Sequence, residues 1–569
     1  MGSKAASISE KILVAGLLIT LASLPWSSFG TSFGTGLIAL AWFVSAVNLS
    51  LITPTNKLLT GAMVGLYVWH VVGLLWTDNL SEGLMTLQIK LPILIVTTAL
   101  MTIRWDQNKW LPRILSVFVF SISTSAIAGL VMGWWKISAG ETLHSSEWSP
   151  FISHIRMGIL LSLGWGGLLI YSIKKHGLII PAILYAVIAL FYIWQTQCVT
   201  GCLMFIFATF FGMMQYWMKH SLRLVIVVGS AILFVGIILL VQTLRPSPQP
   251  DQLPTHTEWG ALYTHHQDRF LDENGYKVWN FLAWDEARIE WNKRSNYLFD
   301  GPDNMGYPLK TTLTRYLTSL NLPKDGLAIQ GLTEEDIRAI EQGKTSAVEH
   351  LKSGMNRRLD LLRYEVGNWM DDGNPSGNSV TQRWFYLKTG LHIALNNGIV
   401  NSLLGVGTGD LPDAYQDAYI ELDTPLNTQS RKRTHNQYIA WWVGSGFIAL
   451  ILWILVLIAS WKRDREWLSL GRLAWWMVVV SCFAEDTLET QAGVTFAVFA
   501  LVLFSMNDSK ERSSLKPDVE KLGFISTNSS KLTPDSDKIE QDKGGSSLRD
   551  SLHSAPTSSP SKYRATIRS

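Results

Sequence analysis

"RKRTHNQYIAWWVGSGFIAL", residues 431–450, sets three cations and a His-Asn pair directly against an apolar run that holds glycines at 444 and 446. A polar edge followed by enough apolar residues to cross a hydrocarbon core of roughly 30 Å marks the entry of a membrane helix. The composition agrees with that reading. A chain of 569 residues that is 48% hydrophobic and 16% charged, with 25 tryptophans, departs from the balance of a soluble domain. Its formal charge of +3 is too small for a nucleic-acid partner, and its basic residues fall in short clusters between apolar runs. Cys198, Cys202 and Cys482 lie inside apolar segments without metal-ligand company, which supports neither a disulfide framework nor a zinc site.

Outward from residue 436, apolar windows of spanning length fall at about 436–460, 470–486 and 490–506 on one side. On the other they fall at about 11–29, 31–52, 58–76, 86–103, 112–134, 155–173, 178–196, 199–217 and 223–243. The expected fold is an all-α polytopic membrane protein of about 12 transmembrane helices, with a large, mainly helical loop domain before the tenth. The first window imitates a signal peptide, but the second follows at once without a small-residue cleavage site, so it reads as a retained helix. The domains are then 1–243 (membrane), 244–435 (loop domain), 436–506 (membrane) and 507–569. The last stretch is a Ser-rich, charged tail whose composition predicts disorder.

Basic residues in short loops stay cytoplasmic during insertion. With a cytoplasmic N-terminus the inner loops carry Lys57, then Arg104, Lys109 and Arg113, then Lys174 and Lys175, then Lys219 and Arg223, then Lys462, Arg463 and Arg465. Lys136 and Arg156 are the breaches. Residues 244–435 are thereby expected on the outer face and both termini in the cytoplasm. Within the loop domain "TEEDIRAIEQG" has a Thr cap, an acidic first turn and a glycine stop, and "SVTQRWFYLKTGLHIALNNG" reads as an amphipathic helix ending at Asn-Gly.

Polar groups from separate segments are expected to converge on the outer face: His435 and Asn436, Arg433 just before them, Arg383, Arg156, Lys90, and the acidic trio Glu485, Asp486 and Glu489. Each has a plainer reading. A histidine at a span boundary is ordinarily a polar anchor, arginines at helix ends snorkel, and an acidic trio between spans is a solvated turn. "GVGTGD", residues 405–410, lacks the GxxxxGK[ST] pattern of a phosphate loop and reads as a tight extracytoplasmic turn. His70, inside a span, reads as a hydrogen-bonding partner for a neighbouring helix.

The order "RWFYLKTGLHIALNNGIVNSLLGVGTGD", then a gap, then "HNQYIAWWVGSGFIALIL" resembles the O-antigen ligase and O-antigen polymerase superfamily, as do "SHIRMG" and "AEDTLETQAGVTF". The resemblance implies metal-independent, cofactor-free transfer of a glycan from an undecaprenyl-diphosphate carrier to an acceptor hydroxyl, usually on lipid A-core, at the periplasmic face of the bacterial inner membrane. It implies His435 and Arg383 as catalytic residues. Arg156, Arg433, Lys90, Asn436 and Glu485 would serve diphosphate and glycan binding. A guanidinium fork suits the charge that grows on a leaving diphosphate, and imidazole suits the acceptor's proton.

Two positions depart from the family pattern: Val199, in "TQCVTGCLMF", stands where an arginine is common, and Leu387 where an aromatic is frequent. The inserted "LTSLNLPKDGLAIQGLTEEDIRAIEQGKT" also lengthens the loop domain. Ligase, polymerase and protein O-glycosyltransferase share these motifs. Outside the enzyme class, a noncatalytic glycan-lipid binding protein or a transporter remains, although no inverted repeat is visible.

Overall fold

The computed structural model describes residues 2–47, 53–140, 143, 145–174, 176–218, 253–273, 275–347, 354–371, 373–463 and 469–506. The expected span at 223–243 and the tail from 507 lie outside the described residues.

Eight apolar helices come first: α1 (Gly2–Ser23), α2 (Ser28–Val47), α3 (Lys57–Val72, extended by a 3-10 turn Gly73–Trp76), α4 (Leu80–Thr102), α5 (Gln107–Ser138), α6 (His154–Lys174), α7 (Ile179–Gln195) and α8 (Val199–Met218). Asn56, Asn79 and Asp106 cap α3, α4 and α5 by accepting a backbone N–H three residues on, which places each start at a short polar loop. Small residues let neighbours approach. A side chain at Gly34 would strike Thr20 of α1, and one at Gly158 in α6 would lie 3.0 Å from the Gly201 Cα in α8. That is the close backbone packing expected where water does not drive helices together.

After the domain come α17 (Gln437–Arg463), α18 (Leu470–Ala484) and α19 (Gln491–Val498). Among the described residues, six helices are long and apolar enough to cross a membrane: α2 to α6 and α17, with shorter apolar helices at α7, α8, α18 and α19. The bundle has two distinct ends. At one, Thr55, just before Lys57, donates its backbone N–H to Met101, three residues before Arg104, and Arg463 reaches the same Met101. Three of the expected inner loops, those of Lys57, Arg104 and Arg463, thus share an end, opposite the one that carries the domain.

The domain is mainly helical, as expected: α9 (Trp284–Arg294), α10 (Leu309–Ser319), α11 (Gly326–Gln330), α12 (Glu334–Glu341), α13 (Gly354–Met370), α14 (Ser379–Asn396), α15 (Gly398–Leu404) and α16 (Leu411–Glu421), plus a two-stranded pair, Asp272–Glu273 with Tyr276–Lys277. The predicted Thr333 cap is a reciprocal capping box with Asp336. Trp291, Phe299, Leu313, Leu317, Ile329 and Ile340 form one core of the domain. A second core joins Tyr386, Ile393, Tyr415 and Tyr419 to Ile439, Ala440 and Val443 of α17. Packing therefore continues across residue 435.

The glycines of the opening stretch have a clear physical task. Gly446, inside α17, has φ 77, and a Cβ there would lie 2.1 Å from the Leu403 carbonyl oxygen. Only glycine accepts both conditions. The helix breaks at this point, and the "GVGTGD" loop seats against it: Val406 donates to the Val443 carbonyl at 2.9 Å and Gly407 to Gly444 at 3.1 Å. Trp69 of α3 satisfies the Ser445 carbonyl freed by the break, at 2.7 Å. Thr408 then bonds the His70 carbonyl at 2.7 Å, and Asp410 accepts the backbone N–H groups of Asp78 and Asn79. The loop is a turn, as read from the sequence, but it enters the bundle instead of standing clear of it.

Candidate active site

The site assembles where the segment entering α17 meets the turn after α18. Strand-like φ/ψ at Glu485 ends α18, a short 3-10 turn spans Thr487–Glu489, and α19 starts at Gln491 under a Thr490 cap. This acidic turn is not solvated: Asp486 and Glu489 are buried and Glu485 nearly so. Burial of three carboxylates demands cationic partners, and the partners are the residues singled out in the sequence.

His435 places Nδ1 3.2 Å from Glu485 and 3.7 Å from Asp486. Arg383, on α14, pairs with the same Glu485 at 2.5 Å and also donates to the Ala484 carbonyl. Arg433 lies 3.6 Å from Asp486 and 3.9 Å from Glu489, both longer than a hydrogen bond. Arg156, at the start of α6, lines a small cavity with Glu485 and Thr487 at its polar end and Ile155, Ile159 and Phe496 along its apolar wall. Among the described residues no hydrogen bond or ion pair holds the Arg156 guanidinium, although it feels the charges of Asp486, Glu485 and Arg433. Lys90, Arg156, Arg383 and Arg433 face Glu485, Asp486 and Glu489, so the cluster has one positive charge in excess before His435 is counted.

Two expected binding residues prove to have other duties here. Lys90 is 1% exposed and locked at 2.7 Å to Glu489, which also accepts from Gln437 at 2.9 Å and Trp441 at 3.0 Å. Such a pair faces no solute; it ties α4, α17 and the acidic turn together. Asn436 is the cap of α17, accepting the Ile439 N–H at 3.2 Å and donating to Phe483 at 3.2 Å. His70 bonds the Leu66 carbonyl of its own helix at 2.8 Å, so the expected bond to a neighbour through its side chain is not made.

The electrostatics follow from these contacts. Burial pushes the Glu485 carboxyl up, but the hydrogen bond with His435 and the charge of Arg383 outweigh it and hold its pKa below the usual range. Asp486 goes the other way: burial raises it further than His435 and Arg433 lower it. With Nδ1 engaged by Glu485, the imidazole is oriented by a carboxylate, and no described residue bonds its Nε2. The ligand atoms of His435, Glu485 and Asp486 lie within 4.8 Å of one another, a spacing a cation would accept, but guanidiniums already partner both carboxylates. Val199 opens α8, next to Cys198, whose thiol feels the charges of Glu485 and Arg383.

The role of Glu489 and Gln437 as organisers escaped the sequence reading. A signal existed: Lys90 inside an apolar span needs a buried carboxylate, and Glu489 sits at the matching end of the bundle. Compared with protein-family models and with curated proteins, the sequence matches none.

Proposed function

We propose that the protein is a glycosyltransferase of the O-antigen ligase kind. It would move a glycan from an undecaprenyl-diphosphate carrier to a hydroxyl of a membrane-anchored acceptor, lipid A-core in the first instance, at the periplasmic face of a bacterial inner membrane. The observation that carries this reading is the meeting of His435, Arg383, Arg433 and Arg156, from three distant segments, around one half-buried cluster with excess positive charge. The separation of basic loops from the domain-bearing end supports the orientation.

In this mechanism the acceptor oxygen attacks the anomeric carbon, its proton passes to Nε2 of His435, and the glycosyl–phosphate C–O bond breaks with its electron pair leaving on the diphosphate. Glu485 holds the imidazole from the Nδ1 side. Arg156 is the cation with capacity to spare, and Arg433, held only at longer range, is the second. Arg383 is shared between Glu485 and the leaving group. A polymerase or protein O-glycosyltransferase would use the same groups on a different acceptor.

One observation favours a noncatalytic glycan-lipid binder instead: Val199 stands where the family commonly has an arginine. The lipopolysaccharide of a deletion strain tests the proposal. Loss of every capped species is the ligase result, a cap of a single repeat is the polymerase result, and an unchanged ladder removes both.

A further inference from the structure

The loop that seats against the broken helix lies deeper than an extracytoplasmic turn can. Gly446 is the tenth residue of α17, so its contact with Leu403 falls about 13 Å along the axis from the helix start at 1.5 Å per residue. Thr408 bonds His70, which is a turn and a half inside the end of the α3 segment at Trp76. Two independent contacts on two helices thus put α15 and the following loop below the level at which the bundle begins.

The surface of this element is unusual for a water-facing helix. Ile399 is 81% exposed and Val400 65%, with Leu395 and Leu403 exposed beside them. In water this cluster would be a costly apolar patch at every position that is not packed. The polar backbone is meanwhile turned inward. Trp442 donates to the Ser402 carbonyl at 3.2 Å, Gly405 to Asn401 at 2.8 Å, and the Val406 and Gly407 N–H groups go to α17. Irregular backbone at membrane depth is tolerated only where protein satisfies it, and that condition is met here. The patch also continues into the surface of a spanning helix: Trp442, which holds Ser402, packs on Phe447, and Phe447 and Ile451 are exposed on α17.

We infer that residues 395–409 are a re-entrant element whose apolar face, Leu395, Ile399, Val400 and Leu403, lies in the acyl chains of the leaflet adjoining the domain. The occupant of that face is lipid. The element leaves the domain, dips beside α17, turns at Gly405 and Gly407 and returns at Asp410, so the loop domain is not wholly outside the bilayer. This depends on the bundle spanning a membrane and not on the transferase reading.

Site-directed spin labelling of the full chain in nanodiscs tests it. A nitroxide is attached at Ile399→Cys and, separately, Val400→Cys, with the unmodified protein labelled in parallel for the background of its own cysteines. Leu298→Cys, on an exposed face of the domain, gives the aqueous reference. Oxygen, which concentrates in lipid, should relax the labels at 399 and 400 strongly, and the water-soluble nickel complex NiEDDA should do so weakly; the Leu298 site should show the reverse. Relaxation by NiEDDA at 399 and 400 would overturn the inference in favour of water. Protection from both agents would overturn it in favour of a protein neighbour.

Discussion

His435 has φ 49, a backbone region that few side chains enter and that His and Asn tolerate better than most. The strain fits a residue held for chemistry, with Glu485 fixing Nδ1. His435→Asn keeps the backbone and removes the proposed base, so it separates strain from the proposed chemistry better than alanine. It should lower the chemical step by roughly 100- to 10,000-fold while donor binding survives; near-native turnover would leave His435 a structural residue. Arg383→Lys should also impair transfer, because an ammonium cannot serve Glu485, Ala484 and a phosphate oxygen with one planar fork. Away from the site, Lys324 is buried, its amine donates at 3.5 Å to the Lys277 carbonyl and to no other group among the described residues, and burial pulls its pKa down to about 7. The unfolded lysine titrates near 10.4, so its penalty is fully present below pH 7 and fades as pH rises from there towards 10. Lys324→Met should raise the unfolding midpoint of the domain most at neutral or lower pH and flatten the dependence between pH 7 and 10; an unchanged profile would mean that the amine is solvated.

The break in α17 is the element on which the docked loop depends, because it lets the loop after α15 reach the Val443 and Gly444 carbonyls. Gly446→Ala puts a side chain at φ 77 and against the Leu403 carbonyl, a backbone strain of about 1–3 kcal/mol before the clash is counted. The expected result is a lower unfolding midpoint, whereas Gly36→Ala, with nothing within 4 Å of its Cβ, should be neutral. Equal behaviour of the two would remove the break from the account. The glycine pair was visible in the sequence, but its depth was not, since that follows from contacts with Leu403 and His70 and not from residue types. The pairing of Lys90 was hidden for a similar reason. An apolar window marks it as intramembrane, yet its partner lies 399 positions away, and only the fold shows that the partner consumes its charge. By contrast, the Thr333 cap and the limits of α14 were legible because they are set by neighbours in the chain.

Among the described residues, six helices are long and apolar enough to cross a membrane and four shorter apolar ones join them in the bundle, with three basic loops at one end and the domain at the other. The helical class and the apolar helices were legible, because hydropathy acts over whole segments. Reporter fusions at Gly301 and Ser546 should then report opposite compartments, and a shared compartment would end the topology. The proposed transfer of a glycan from a lipid diphosphate to an acceptor hydroxyl at this end of the bundle can be followed in a reconstituted reaction. Purified protein in nanodiscs is given an undecaprenyl-diphosphate-linked glycan and lipid A-core, and the acceptor and carrier are followed by mass spectrometry. A transferase yields glycan on the acceptor and free undecaprenyl diphosphate in equal amounts, both lost in His435→Asn. Donor that binds while the acceptor stays unmodified would contradict it.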